Sequence, residues 1–369
     1  MGDTQVKKHF ALGRFSHELA YVMPDQRTVY LSDDGTNTGL FLFIADKAGD
    51  LSAGTLYAAK WRQLTGIGVG SAKLAWVNLG HATNAQIQDA IKNQITFNQM
   101  WDKTLPSDPN TYICPQGFTG TNTYDTGFLC VRLKKGAELL ASRLETRLYA
   151  AYLGATTEFR KEEGITYNPD EQVLYISMSE VSKGMLANSA YDQGGPDHIR
   201  VATSYKCGAI YELDLQGGVT DTQNQPIASE LVAVKMQGLL VGHSKKYENA
   251  LFAANKCDLK QIANPDNLTY LPGYDTLLIA EDTDKHKNNI LWAYDTQNQG
   301  LNRIATVPYG AEITSPYWFP NINGYAYIIM VTQHPYGESD ASLVPSQQAT
   351  ESVIGYIGPI PLSAVQARK

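Results

Sequence analysis

The feature that most restricts what this chain can fold into is a pattern that recurs four times. Each copy runs from an acid or amide, through a short apolar-biased stretch and a turn carrying Pro, Asp or Gly, into an apolar β-rich run. Residues 18–34 (ELAYVMPDQRTVYLSDD) and 163–179 (EGITYNPDEQVLYISMS) superpose without a gap. Glu18 then falls on Glu163, Pro24-Asp25 on Pro169-Asp170, and Tyr30-Leu31-Ser32 on Tyr175-Ile176-Ser177. A third copy, NLTYLPGYDTLLIAEDT, starts at Asn267 and brings Asp282 level with Asp33. A fourth, EITSPYWFPNINGYAYIIMVTQH, starts at Glu312 and carries a longer turn.

Each copy reads as a β-hairpin, with apolar strands on both sides of a turn. Hairpins that recur at intervals of tens of residues indicate a repeat architecture, and four-stranded propeller blades are its commonest β form. Asn267 and Glu312 are one blade length apart, and NILWAYD (289–295) with LNRIATV (301–307) supplies the two further strands between them. GAIYELDL (208–215) and ASELVAVKM (228–236) provide strands in the gap between the second and third copies. The gap between the first and second differs. There, residues 83–100 place Ile87, Ile91, Ile95 and Phe97 near helical spacing, and residues 136–153 are rich in Ala, Leu, Glu and Arg. We therefore expect an all-β chain: one β-propeller domain over residues 1–369, six-bladed or incomplete, with a partly helical insertion at 81–154 whose apolar stripes are core contacts.

Composition agrees with short strands joined by polar loops. Charged residues are only 18%, while Tyr (22) and Gly (31) are plentiful. The net charge is −7 and no run of Lys or Arg exceeds two residues, so nothing forms a footprint for nucleic acid. No apolar run approaches the roughly 18 residues of a membrane span. The start, MGDTQVKKHF, has no apolar signal core, and we expect that a leader has been removed. Cys114, Cys130, Cys207 and Cys257 lack CxxC spacing, which argues against a zinc ribbon. They permit two disulfides, Cys114–Cys130 among them, or four buried thiols.

In a propeller the innermost strand of each blade runs along the central channel, so residues heading that strand can point into it. The heads here are Glu18, Glu163, Asn267 and Glu312, with His17 beside the first. Converging carboxylates repel and are costly to desolvate unless a cation compensates. Arg160 or Lys161 could do so, and hard metal cations do it better, because carboxylate and amide oxygens are their natural ligands. Asp33-Asp34 and residues 281–284 end the second strand of their hairpins and read equally as outer ligands or as solvated turns. His334, after the last hairpin, reads as structural or catalytic. The glycines of residues 66–70 lack the strand-to-helix setting of a phosphate loop, and no GxSxG elbow is present.

At these residues the chain resembles the PhoX family of alkaline phosphatases. The resemblance is carried by residues 13–18 (GRFSHE), Gly154-Ala155-Thr156 through Arg160 to Glu163, Asn264-Pro265-Asp266-Asn267, and Glu312-Ile313-Thr314-Ser315 with Gln333-His334-Pro335. It implies a six-bladed propeller, secreted or periplasmic and expected to be a monomer, that hydrolyses phosphate monoesters on small substrates using calcium and iron in the channel. By the same resemblance Glu18, Glu163, Asp282 and Glu312 are metal ligands, Glu163 and Arg160 catalytic, and Arg160 substrate-binding; the head positions add Asn267 to the metal ligands and His17 to the substrate-binding residues. Counting from Gly154-Ala155-Thr156 favours Glu162 for the second glutamate. Counting from Asn168-Pro169 and from the internal repeat favours Glu163, which we take. The chain departs from the family in having Lys161 between the arginine and glutamate, and Ala311 before Glu312. It also lacks the Cys-Ala-Gly-Gly segment that supplies an iron ligand, which makes it either part of a longer protein, the reading we take, or an inactive relative that has lost the redox metal. Two other readings fit the same acids: a calcium-binding propeller without hydrolytic chemistry, and a lactonase-type calcium hydrolase.

Overall fold

The computed structural model describes residues 6–108, 110–338 and 341–361. Alternating apolar runs separated by Pro, Asp and Gly turns form four blade-like antiparallel sheets, each built outward from one hairpin of the repeat. The first contains His17–Val22, Thr28–Asp33, Phe41–Lys47 and Asp50–Thr65. The second contains Glu162–Asn168, Val173–Met178, Ala209–Gln216 and Val232–Val241. Pro265–Leu271, Thr276–Glu281, Asn288–Asp295 and Leu301–Tyr309 make the third, and Glu312–Ile322, Tyr325–Gln333 and Val353–Pro361 the fourth. Strand Ser71–Thr83 pairs with the outer strands of both the first and second blades, fusing them into one nine-stranded sheet. The innermost strands lie side by side in chain order.

The core sits between blades. Tyr30, Leu42, Trp61, Trp76, Ile176 and Tyr211 fill the space between the first two. Tyr175, Ile210, Ile279 and Trp292 fill the next, and Leu278, Leu291, Ile313 and Ile328 the last. Second strands are covered on both faces, which is why TVYLSD and VLYISM are buried along their whole length instead of alternating.

The other face of the first blade packs under residues 84–152. These form helices Asn84–Lys92, Phe97–Met100, Glu138–Leu144 and Thr146–Tyr152, together with a three-stranded sheet. Thr83 and Gln86 form a capping box that starts the first helix. Leu148, Tyr149 and Ala150 bury Val29, Leu31, Phe41 and Phe43. Arg147 makes a buried ion pair with Asp33, and burial pushes the Asp33 carboxyl up to about 6 despite that partner.

In the fourth copy the extra residues lengthen the strands, contrary to the longer turn expected from sequence. Ile322 pairs with Tyr325 around a tight Asn323-Gly324 turn, both residues at positive φ. Disulfides join Cys114 to Cys130 and Cys207 to Cys257. Among the described residues no helix is long and apolar enough to cross a membrane.

Candidate metal centre

Each of the first three inner strands carries a bulge at its head, and the bulges occupy equivalent places. The pairing shifts between His17 and Ala20, between Glu162 and Ile165, and between Pro265 and Leu268. One backbone bond repeats around them: the N–H of Asp34, Ser179 and Asp282 donates to the carbonyl of Ser16, Lys161 and Asn264, at 3.0, 3.1 and 3.3 Å. This register makes Glu18, Glu163 and Asp266 equivalent, and Asp34 equivalent to Asp282. Sequence alignment had placed Asn267 and Asp33 in those roles, a slip of one residue in the third copy. A one-residue shift exchanges the faces of a strand, so the correction changes which side chains reach the channel.

Serines bring the heads together. Ser32 Oγ accepts from Leu19 N and donates to the carbonyl of Glu163 in the next blade at 2.6 Å. Ser177 repeats the device, accepting from Gly164 N and donating to the carbonyl of Asp266. Gly164 is required at this approach, because a Cβ there would lie 2.3 Å from the Asp266 carbonyl oxygen. Asn267 performs the corresponding task between the third and fourth blades. Its amide donates to Asp266 Oδ1 at 2.9 Å and its oxygen accepts from Ser315 N at 2.6 Å. It braces an acid, with one amide donor and its oxygen so used, at the edge of the same cleft.

The result is a cleft of about 890 Å³ lined by Glu18, Asp34, Lys161, Glu163, Asp266, Asp282 and Glu312. Among the described residues four sets of ligand atoms lie within 4.8 Å of one another. Three are built on acids of the cleft: Glu18 with Asp34 and Glu163, Asp266 with Asp282 and Glu312, and Glu312 with His334 and Glu338. The fourth, Glu158 with Asp192 and Asp197, lies away from the cleft lining. Glu312 belongs to two of the cleft sets. Lys161 Nζ sits 3.0 Å from Glu163 Oε1 and 3.6 Å from Asp34 Oδ1. His334 Nε2 lies 3.3 Å from Glu312 Oε1 and 3.7 Å from Glu338 Oε1. Burial pushes Glu163 up to about 7 against the opposing pull of Lys161. Burial, reinforced by Asp282, lifts Glu312 to about 9, and Asp266 stands well above its ordinary value through burial and the charge of Glu163. Burial followed by Asp34 raises Glu18. Asp282 Oδ1 is buried without a hydrogen-bond partner. A set of crowded oxygens with raised proton affinity and an orphaned buried carboxylate atom fits a hard cation.

Other candidates fall elsewhere. Arg160 alternates to the far side of the chain from Lys161: its guanidinium donates to Thr36 Oγ1 at 2.6 Å and pairs with Glu180 at 3.4 Å, away from the cleft lining. His17 stacks on Phe15 and bonds the Gly13 carbonyl. Glu162 turns into the core, where neither carboxyl oxygen has a partner, while Glu163 faces the cleft. Of the acids that close the hairpins, Asp33 and Glu281 are buried in pairs with Arg147 and His286, whereas Asp34 and Asp282 line the cleft. Sequence reasoning missed Asp266 and Glu338. Pro272 falls on Pro24 and Pro169 only in the register that makes Asp266 the head, a signal that was available. Glu338 lies in an irregular loop with no periodic signal; its N–H returns to the Gly310 carbonyl.

Comparison with known proteins bears on this geometry. The family model for alkaline phosphatase PhoX matches residues 2–335. Among solved structures, Pseudomonas fluorescens PhoX in complex with vanadate, a transition state analogue, is similar in fold, with a TM-score of 0.56 and 20% sequence identity. The match covers 94% of this chain and 54% of that one, so the present chain spans about half the length of that structure. No curated protein matches the chain.

Proposed function

The chain belongs to the alkaline phosphatase PhoX family, and from that premise we propose that it hydrolyses phosphate monoesters at the cleft where the blade heads meet. The observation that carries this reading is the gathering of Glu18, Asp34, Glu163, Asp266, Asp282 and Glu312, from four different blades, around one cavity. Asp266, Asp282 and Glu312 would hold one cation, and Glu312, His334 and Glu338 a second, with Glu312 shared. Calcium suits the oxygen-rich set and iron would favour the one containing His334. Such cations neutralise phosphate charge and make water a better nucleophile.

The chain's own residues complete the site. Lys161 presents an ammonium to the cleft, and an ammonium offers more N–H donors than the two carboxylates use. The remaining donor is available to a phosphate oxygen, the role sequence reasoning had given to Arg160. Arg160 instead holds Glu180, which also pairs with Lys285, and so steadies the loop behind the cleft. The Asn267 and serine bonds keep the carboxylates in place before substrate arrives, which lowers the cost of organising them during reaction. Two disulfides support a periplasmic or secreted location.

The test is turnover of p-nitrophenyl phosphate at alkaline pH by protein reloaded with calcium and iron, beside a simple lactone. Phosphate release that a chelator abolishes and metal restores is the expected result. Lactone opening alone would assign a lactonase, and calcium binding without turnover of either would assign a binding module.

A further inference from the structure

We propose that Lys161 is a built-in cation that takes the place of a metal ion in the Glu18–Asp34–Glu163 group. Within the cleft, metal would then load only at the two groups that share Glu312. This rests on the reading of the cleft as a metal centre and concerns how many ions it takes.

Three observations carry it. The Lys161 ammonium lies 3.0 Å from Glu163 Oε1 and 3.6 Å from Asp34 Oδ1, inside a set of oxygens close enough to share one ion. Among the described residues no Lys or Arg forms an ion pair with Asp266, Asp282, Glu312 or Glu338; their only such partner is His334. The three groups of the cleft are therefore unlike: one has a side-chain ammonium within ion-pair distance and two have none.

The backbone also aims this lysine. Lys161 sits at φ 49°, in the left-handed region, with its N–H bonded to the Gly35 carbonyl and its carbonyl bonded to Ser179 N. A long side chain rarely occupies that conformation unless neighbouring bonds fix it. Ser16 and Asn264 hold the equivalent positions in the first and third blades. Ser16 is too short to reach across, and the Asn264 oxygen is occupied by Thr283 and Lys285.

Charge and space exclude a shared occupancy. Calcium needs its carboxylate oxygens at about 2.3–2.6 Å, and to reach both Glu163 and Asp34 it would have to displace the ammonium. An ammonium tethered to the same chain competes at a high effective concentration that dissolved calcium must overcome.

The test counts calcium in the full chain after stripping with chelator, reloading and desalting, by plasma mass spectrometry. Lys161→Met should bind one more ion per chain than the unsubstituted protein. Adding Glu163→Gln to Lys161→Met should remove that ion, and Lys161→Arg, which keeps a cation, should leave the count unchanged. Equal counts for Lys161→Met and the parent would overturn the inference. Should Lys161→Met fail to melt cooperatively, the parent background decides: Glu163→Gln alone is expected to keep the full count while Glu312→Gln lowers it. A loss in Glu163→Gln as large as in Glu312→Gln would overturn the inference. A parent that takes up no calcium at all would instead overturn the metal-centre reading, and this inference with it.

Discussion

A carboxyl group moved from water into a pocket of other carboxyls keeps its proton longer, and the cleft does this to several at once. Glu163 is pushed up to about 7 and Glu312 to about 9, from an ordinary value of 4.5. Between those limits and the unfolded value, the metal-free folded protein holds protons that the unfolded chain has released. Its stability should therefore fall as pH rises from about 5 to about 9, and should be indifferent to these groups below about 4.5. Urea unfolding of chelated protein at pH 5, 7 and 9 checks the sign; a rising or level stability would show that the carboxyls are not crowded. At the same scale, Asp266 and Asn267 separate ligand from brace. Losing an outer partner of a metal site typically weakens affinity about 10–100-fold, so Asn267→Ala should fall in that range and Asp266→Asn should do worse, read by calcium titration. The reverse order would restore the register first taken from sequence.

The elements show why that register was hard to see. Glu18 and Glu163 were legible because their two hairpins superpose residue for residue, from the bulge through the Pro-Asp turn to the shared Tyr-x-Ser of the second strand. The third copy has Ala280 where the first two have Ser32 and Ser177, and an amide stands directly after its acid, so alignment on polar heads favoured Asn267 over Asp266. The repeated proline would have corrected it. The serines themselves join one blade to the next: Ser177 accepts from Gly164 N and donates to the Asp266 carbonyl. Ser177→Ala leaves both groups unsatisfied in a buried place, which costs about 1–3 kcal/mol. Chemical denaturation measures this directly, and a change near zero would show that water or a neighbour replaces the hydroxyl. Arg160 misled for a different reason. A resemblance gives residue order, but the left-handed turn of the backbone at Lys161, between two strands, decides which of two neighbouring cations, Arg160 or Lys161, faces the cleft.

For the whole molecule, hairpin periodicity was sufficient to give blades, because a sheet whose two faces are both apolar has to stack on others. Hydrophobic spacing also marked the helical segment. Its position against the outer face of the first blade was beyond reach of the sequence, since that depends on contacts such as Arg147 with Asp33 between residues more than a hundred positions apart. The same holds for Glu338, which comes beside Glu312 and His334 only through the path of a loop. Bound cations should link these distant parts. A ligand that binds only the folded state at a hundred times its dissociation constant adds about 2.7 kcal/mol of stability. The decisive measurement is the calcium-induced change in melting temperature of metal-stripped protein at alkaline pH, for the parent and for Glu312→Gln. We expect calcium to raise the melting temperature of the parent by several degrees and that of Glu312→Gln far less. Equal shifts in both, or none in the parent, would contradict a cation held where the blades meet.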